Sequence, residues 1–246
     1  MELMLVCGLF VTFLLCTQML MSSSAALFDR GESSGDVLLQ LQKARGALVR
    51  ELAETRYSVV RTSSLGQDAA GMEGDVLWFL SARDPETGQV TRDTDGSPFW
   101  RHNILYYLTV AGDHDATYGA SCRGETCPHK VLVRRRARRM PYAASENESV
   151  PKEKLLPWST MQGNVVAPSG PGMAGMGGEV EKTEVVAHSL VGLKVQTMPD
   201  PAYREEVLIT LTGFSVDKAG QKVPPGVPLL DSPYSTVMRF SVFPGN

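Results

Sequence analysis

The chain lacks any set of residues that indicates catalysis. A Gly-x-Ser-x-Gly nucleophile elbow and a phosphate-binding Gly-x-x-x-x-Gly-Lys-Ser/Thr loop are both absent from the sequence. The net charge of −3 provides no bulk attraction to nucleic acid. The histidines are scattered, with none at metal-ligand spacing: His102, His114, His129 and His188. The sequence therefore predicts no catalytic residues, no metal or cofactor site, and no nucleic-acid partner.

Cysteine is scarce, and the four cysteines fall into two groups. Cys7 and Cys16 lie in an apolar segment and are predicted to be reduced. Cys122 and Cys127 have the spacing of a small disulfide-closed loop, which fits a domain outside the cytoplasm. A pair of free thiols is one alternative. Zinc is another, but it would need two further ligands, and His129 is the only close candidate.

Long apolar runs are limited to one, Leu3–Met21, which has about the 20 residues needed to span a bilayer as a helix. Glu2 stands at its edge, and a carboxylate in hydrocarbon costs roughly 2.5–3.5 kcal/mol unless it has a partner. Small residues at Ser24–Ala26 would suit a cleaved secretory signal, although such signals begin with a basic region. A buried core helix is the third alternative. We expect an uncleaved transmembrane helix over residues 1–21.

Gly8 and Thr12 are four residues apart within this run and share one face of the predicted helix. Small side chains at that spacing allow two helices to approach closely. The pair is therefore a candidate helix-packing surface.

A helical period continues beyond the apolar run and predicts an amphipathic extension of the helix over residues 22–60. We expect a bend or break between Gly31 and Gly35. The apolar face is predicted to comprise Val37, Leu38, Leu41, Ala44, Leu48 and Leu52. The opposite, polar face is predicted to include Gln40, Lys43, Arg50, Glu51 and Glu54.

The rest of the chain, residues 61–246, is predicted to be rich in strands. Segment 142–178 is dominated by Pro, Gly, Ser, Asn and Met, which predicts a flexible loop. Strand patterns occur at Val76–Leu80, Ile104–Val110, Lys130–Arg134, Val185–Val195, Glu206–Thr212 and Thr236–Val242. The predicted fold class is α+β, with one long helix, transmembrane in its first half and amphipathic in its second, packed on an antiparallel sheet.

A basic run, Arg134–Arg139, could indicate a nucleic-acid contact or a processing site. No aromatic residues are interleaved with the arginines, as stacking on bases would require. We interpret the run as a strand end that faces solvent, anionic lipid or an acidic partner.

The segment Glu2–Val6 resembles the start of type IV pilins and type II secretion pseudopilins, whose mature chains carry a glutamate at the edge of an apolar helix. The family's basic leader, its glycine and the first three mature residues are missing here, so the match begins at Met1, and the resemblance implies a misassigned start. Further segments are similar to minor pilin and J-type pseudopilin domains: Trp100 with Ile104–Leu108, Leu132–Arg134, Val186–Val195, Val207–Thr212 and Thr236–Asn246. At the last of these, Gly245 stands where the family has arginine.

The resemblance implies a structural subunit of a type IV pilus or a type II secretion pseudopilus, acting in filament initiation or at the tip. Its partners would be other pilin or pseudopilin subunits, an inner-membrane assembly platform, a prepilin peptidase and membrane lipid. Glu2 would offset the positive amino terminus of a neighbouring subunit, or would otherwise lie among lipid headgroups. The implied location is the bacterial inner membrane, single-pass, with an extracytoplasmic domain.

The alternative function is a membrane-anchored or secreted β-rich domain that binds a ligand without polymerising. An enzyme is the third candidate, and the missing nucleophile–base or metal set argues against it.

Overall fold

The computed structural model describes residues 2–65, 74–84, 87–92, 94, 96, 98–100, 102–112, 114, 127–138, 155, 180–198, 205–215 and 235–245. Within these ranges it leaves out the side chains of residues 2–7, 9, 26, 27, 29, 30, 138, 180 and 181. Apart from Leu155, the predicted flexible loop at 142–178 lies outside the described residues.

In the described part of the chain, one α-helix precedes eight strands. Helix α1 covers Glu2–Leu52, and a 3-10 turn at Tyr57–Val59 leads into the first strand. The strands are β1 Val60–Leu65, β2 Gly74–Ser81, β3 His102–Val110, β4 Lys130–Arg138, β5 Val180–Ala187, β6 Leu190–Met198, β7 Glu206–Phe214 and β8 Ser235–Val242.

The strands form two antiparallel sheets. The first has the order β1-β2-β3-β4-β5 and the second the order β6-β7-β8. Pairing is in register along β3 and β4, where Tyr106 faces Arg134, and along β7 and β8, where Ile209 faces Phe240. The prediction of a single antiparallel sheet is therefore wrong.

The division between the sheets falls inside a segment that was predicted to be one strand, Val185–Val195. Ser189 interrupts it with a left-handed backbone, φ 56°, and its carbonyl accepts a hydrogen bond from the Phe214 N–H at 2.9 Å. The reversal sends β5 and β6 into different sheets. A strand pattern marks residues that suit a pleated surface, but it does not mark which sheet receives them.

Helix α1 runs without interruption through Gly31 and Gly35, so the predicted break is wrong, and a bend there stays a prediction. Neither glycine has an atom within 4 Å of the place where a Cβ would lie. A glycine in a helix costs up to about 1 kcal/mol relative to alanine, which weakens a helix without breaking it.

The second part of α1 packs on the strands through one stripe of side chains. The buried residues are Val37, Leu41, Ala44, Leu48 and Leu52, at steps of three and four. Leu38, which was assigned to the same face, is 45% exposed. Burying each large apolar side chain of the stripe contributes about 1.5–3 kcal/mol.

The predicted transmembrane half of α1 is wrong as well. Within the described residues, no helix combines the length and the mean hydropathy that a membrane span requires. Polar residues follow the apolar side chains too soon, at Thr17, Gln18 and the serines of Ser22–Ser24. The fold class with a transmembrane half and the single-pass inner-membrane location are corrected accordingly.

Both faces of the first sheet are covered. One face joins the α1 stripe and the second sheet in the main core, with Phe79, Ile104 and Leu108 fully or almost fully buried. The opposite face carries a second apolar cluster: Val76, Trp78, Leu105, Tyr107, Val131, Val133 and Ala137. Leu155 packs against that cluster. Such two-sided burial is why β3 is apolar along most of its length.

The two sheets meet where β2 begins. The Val195 N–H on the outer edge of β6 donates to the Asp75 carboxylate at 2.7 Å. Gly74 has a φ of 98°, and a Cβ there would lie 3.0 Å from the Leu193 carbonyl oxygen. The Asp75 carboxylate thus accepts a hydrogen bond from a backbone N–H of an edge strand, which has no neighbouring strand on that side in the described sheet.

Replacing Gly213 on β7 tests how closely α1 packs on this strand. A Cβ at this position would lie 2.5 Å from Val37 Cγ1, so we expect Gly213→Ala to lower the free energy of unfolding by about 1–3 kcal/mol. Gly46, on the exposed side of α1 with nothing within 4 Å, is the matched control. Gly46→Ala should raise stability by about 0.4–1 kcal/mol. Urea unfolding measures both, and a neutral Gly213→Ala would contradict the packing.

Candidate functional site

The first part of α1 projects from the core and carries exposed apolar side chains. None of the side chains described between Gly8 and Asp36, a segment that we call the arm, is buried. Its large apolar residues are between 49% and 80% exposed: Phe10, Val11, Phe13, Leu14, Leu15, Met19, Leu20, Met21 and Phe28. An exposed apolar surface of this extent marks an interaction site in a folded protein.

One face of the arm carries a reactive group. Phe13, Cys16 and Leu20 are spaced three and four residues apart, so they lie on the same side of the helix. Cys16 is a free, exposed cysteine. A neighbouring molecule that covered this face would come within reach of its thiol.

Gly8 and Thr12, the predicted helix-packing pair, are both exposed on the arm. The Thr12 hydroxyl donates to the Gly8 carbonyl oxygen at 2.7 Å, so this hydroxyl is satisfied within its own helix. A Cβ at Gly8 would meet nothing within 4 Å. The two residues are available for close helix contact, and their role in it stays a prediction.

Glu2 begins α1, but its side chain lies outside the described part of the structure. Its predicted pairing with a neighbouring amino terminus therefore stays a prediction.

A buried carboxylate near the C-terminal end of α1 holds the helix against the strands. Glu51 Oε1 accepts from Arg134 Nε at 2.8 Å and from Arg134 Nη2 at 2.7 Å. Glu51 Oε2 accepts from the Tyr106 hydroxyl at 2.8 Å. Arg134 Nη1 donates to Glu184 Oε2 at 2.9 Å, and Lys182 pairs with the other oxygen of Glu184. We call Glu51, Tyr106, Arg134 and Glu184 the joint.

The joint ties α1 to three neighbouring strands of the first sheet. Tyr106 lies on β3, Arg134 on β4 and Glu184 on β5, and the register pairs Arg134 with both of the others. The Glu51 side chain is 4% exposed, and that of Arg134 is 15% exposed. Charges this far from water interact strongly, and they are stable only when each is paired.

The electrostatics of the joint oppose proton transfer. Burial raises the pKa of Tyr106 well above its usual value, and the neighbouring Glu51 charge raises it further. Burial lowers the pKa of Arg134, but hydrogen bonding to Glu51 and the Glu51 charge outweigh burial and raise it overall. Burial raises the pKa of Glu184, yet the contacts with Lys182 and Arg134 lower it overall. The pKa shifts of Arg134 and Glu184 favour their charged forms, and that of Tyr106 favours its neutral form, so these side chains hold α1 in place rather than transfer protons.

The first two arginines of the basic run do not face outward as predicted. Arg134 is engaged in the joint, and Arg135 is only 5% exposed, with its Nε donating to Thr183 Oγ1 at 3.1 Å. The interpretation of these two arginines as contacts for lipid or a partner is wrong. Residue types on a strand alternate between its faces, and both faces of this sheet are covered.

Sequence reasoning missed Glu51, which was assigned to the polar face of the helix. Its position carried a signal, because it lies three residues after Leu48 and seven after Ala44. A carboxylate at the spacing of a buried stripe implies a cationic partner in the core.

Cys127 is buried and disulfide-bonded. Its predicted partner, Cys122, lies outside the described residues, so that pairing stays a prediction. His114 Nε2 lies 3.7 Å from Cys127 Sγ, and the rings of His114 and His129 are 5.3 Å apart. The described residues contain no group of three or more His, Cys, Asp or Glu that could hold a metal as they stand.

Comparisons with known proteins leave the resemblance to pilins as a hypothesis. No family model, no curated protein and no solved structure matches the chain.

Replacing Glu51 tests whether the joint fastens α1. We expect Glu51→Gln to lower the free energy of unfolding toward the lower end of about 3–5 kcal/mol, because it removes a charge that the buried Arg134 requires. Glu54, whose side chain is 31% exposed and pairs with Arg83, is the matched control. Glu54→Gln should cost less than about 1 kcal/mol. Equal losses in chemical denaturation would contradict a special role for Glu51.

Proposed function

We propose that the chain is a structural subunit of a pilin-type filament, in which the arm packs against the arms of neighbouring subunits. The observation that carries the proposal is the row of exposed apolar side chains from Phe10 to Phe28. Other subunits of the same class are the proposed partners. An assembly platform and a prepilin peptidase stay expectations of the resemblance.

The energetics support packing between arms. Each large apolar side chain that is removed from water contributes about 1.5–3 kcal/mol. Association costs an estimated 4–15 kcal/mol in lost freedom of motion, which several such side chains together can offset. Left in water, the same surface promotes non-specific association. Packing against the apolar arm of another subunit would cover this surface and prevent such non-specific association.

The division of α1 into two parts supports the same function. Residues 37–52 are committed to the body through the buried stripe and Glu51. The arm carries no buried side chain among those described, although near its end the Ser33 hydroxyl lies 2.6 Å from the Ser215 hydroxyl. Neighbours can therefore cover the apolar side chains from Phe10 to Phe28 without disturbing the buried core. The strands would then contact adjacent subunits or, in a terminal subunit, the molecule at the tip.

Cys16 supplies the test. If arms pack side by side, mild oxidation of the purified chain at rising concentration should join two copies through Cys16, which is free and exposed. Non-reducing electrophoresis measures the crosslinked dimer, and Cys16→Ser should abolish it. Electron microscopy of the same samples should show regular filaments or short rods.

A matched pair of variants separates packing from chance collision. Phe13→Gln with Leu20→Gln removes apolar surface on both sides of Cys16 and should reduce crosslinking by about tenfold or more, given about 1.5–3 kcal/mol for each side chain. Val237→Thr alters an exposed apolar residue on β8 and should leave crosslinking unchanged. Monomers with no Cys16 crosslink, or amorphous aggregates alone, would contradict the proposal and favour a binding domain that does not polymerise.

A further inference from the structure

Cys127, which is disulfide-bonded, lies beside His114, and His114 in turn lies beside His129. His114 is 3% exposed and Cys127 is fully buried, while His129 is partly buried. All three residues belong to the connection between β3, which ends at Val110, and β4, which begins at Lys130. Three side chains with nitrogen and sulfur donors therefore converge at one end of the first sheet.

The distances in this cluster match those across a zinc ion. In a tetrahedral site with Zn–S of about 2.3 Å and Zn–N of about 2.0–2.1 Å, the sulfur and nitrogen ligands lie about 3.6 Å apart. Cys127 Sγ and His114 Nε2 are 3.7 Å apart. Two imidazoles on such an ion place their ring centres about 5 Å apart, given the same Zn–N distance. The centres of His114 and His129 are 5.3 Å apart.

The bonded state of the sulfur decides whether a metal can bind. Only a thiolate ligates zinc, and the sulfur of a disulfide has no charge to offer. In its disulfide Cys127 therefore cannot serve as a ligand, and the described residues hold no group of three or more donors that could bind a metal. We propose that reduction of this disulfide converts Cys127, His114 and His129 into a binding site for a thiophilic divalent cation, with zinc as the best fit.

A two-electron reductant such as a phosphine can reduce this disulfide to two thiols. The phosphine takes its oxygen from water and becomes the phosphine oxide, and the two protons of that water appear on the two sulfurs as thiols. Zinc then displaces the thiol proton of Cys127 to solvent. Water can occupy the fourth position, as it does in zinc sites that keep one position open.

The test measures zinc bound to the full chain before and after reduction by a phosphine, using equilibrium dialysis and metal analysis. We expect about one zinc per chain after reduction, as one three- or four-ligand site requires, and little before it. Cobalt(II) in place of zinc should give the visible bands of a tetrahedral site and a sulfur-to-metal charge-transfer band. Near-ultraviolet circular dichroism verifies that the reduced chain remains folded.

Single substitutions identify the ligands. His114→Ala, His129→Ala and Cys127→Ser should each weaken binding by more than about 100-fold, beyond the 10–100-fold that loss of an outer-shell partner costs. His188→Ala is the control, because His188 is exposed on the turn after β5 and should leave affinity unchanged. If the predicted pairing holds, Cys122→Ser should bind zinc without any reductant.

Three results would overturn the proposal. One is a reduced, folded chain that binds no zinc. Another is equal binding with and without the disulfide. The third is equal weakening by His188→Ala and His114→Ala, which would place the metal elsewhere on the chain.

Discussion

A single buried carboxylate sets the relation between the helix and the sheets. Glu51 lies one residue before the end of α1 and accepts hydrogen bonds from Tyr106 and Arg134, on two neighbouring strands. A buried ion pair contributes little net stability compared with an apolar replacement, but removing one partner is costly. Such a pair therefore restricts the position of α1 more than it stabilises the fold. The apolar stripe ending at Leu52 supplies the stabilising energy.

Fixing α1 through its second part leaves the large apolar side chains of its first part exposed. The stripe begins at Val37, and the apolar side chains before it are exposed. Gly213 lets the helix lie directly on β7 near Val37, so the helix is supported up to the start of the arm. The body and the arm are thus separate surfaces on one continuous helix. A filament subunit needs this arrangement, because the surface that joins its neighbours must not take part in its own core.

The sequence revealed individual elements better than their assembly. Helical spacing identified Val37, Leu41 and Leu48 as buried, since a 3.6-residue period follows from backbone geometry. The same reasoning placed Glu51 in solvent and the arginines of β4 outside, because residue type was given more weight than position. The two-sheet arrangement depends on the reversal at Ser189, for which the sequence carries no glycine signal. The transmembrane prediction relied on the apolar run and gave too little weight to Gln18 and the serines beyond it.

Hydrogen–deuterium exchange along α1 is the most direct test of the account. In dilute solution we expect slow exchange of amides in residues 37–52, rapid exchange in residues 8–36, and a boundary near Val37, because buried contacts protect only the second part. At concentrations where copies associate, the arm should become protected while residues 37–52 change little. Uniform protection of the whole helix in the dilute chain, or an arm that stays unprotected in the assembled chain, would contradict the account.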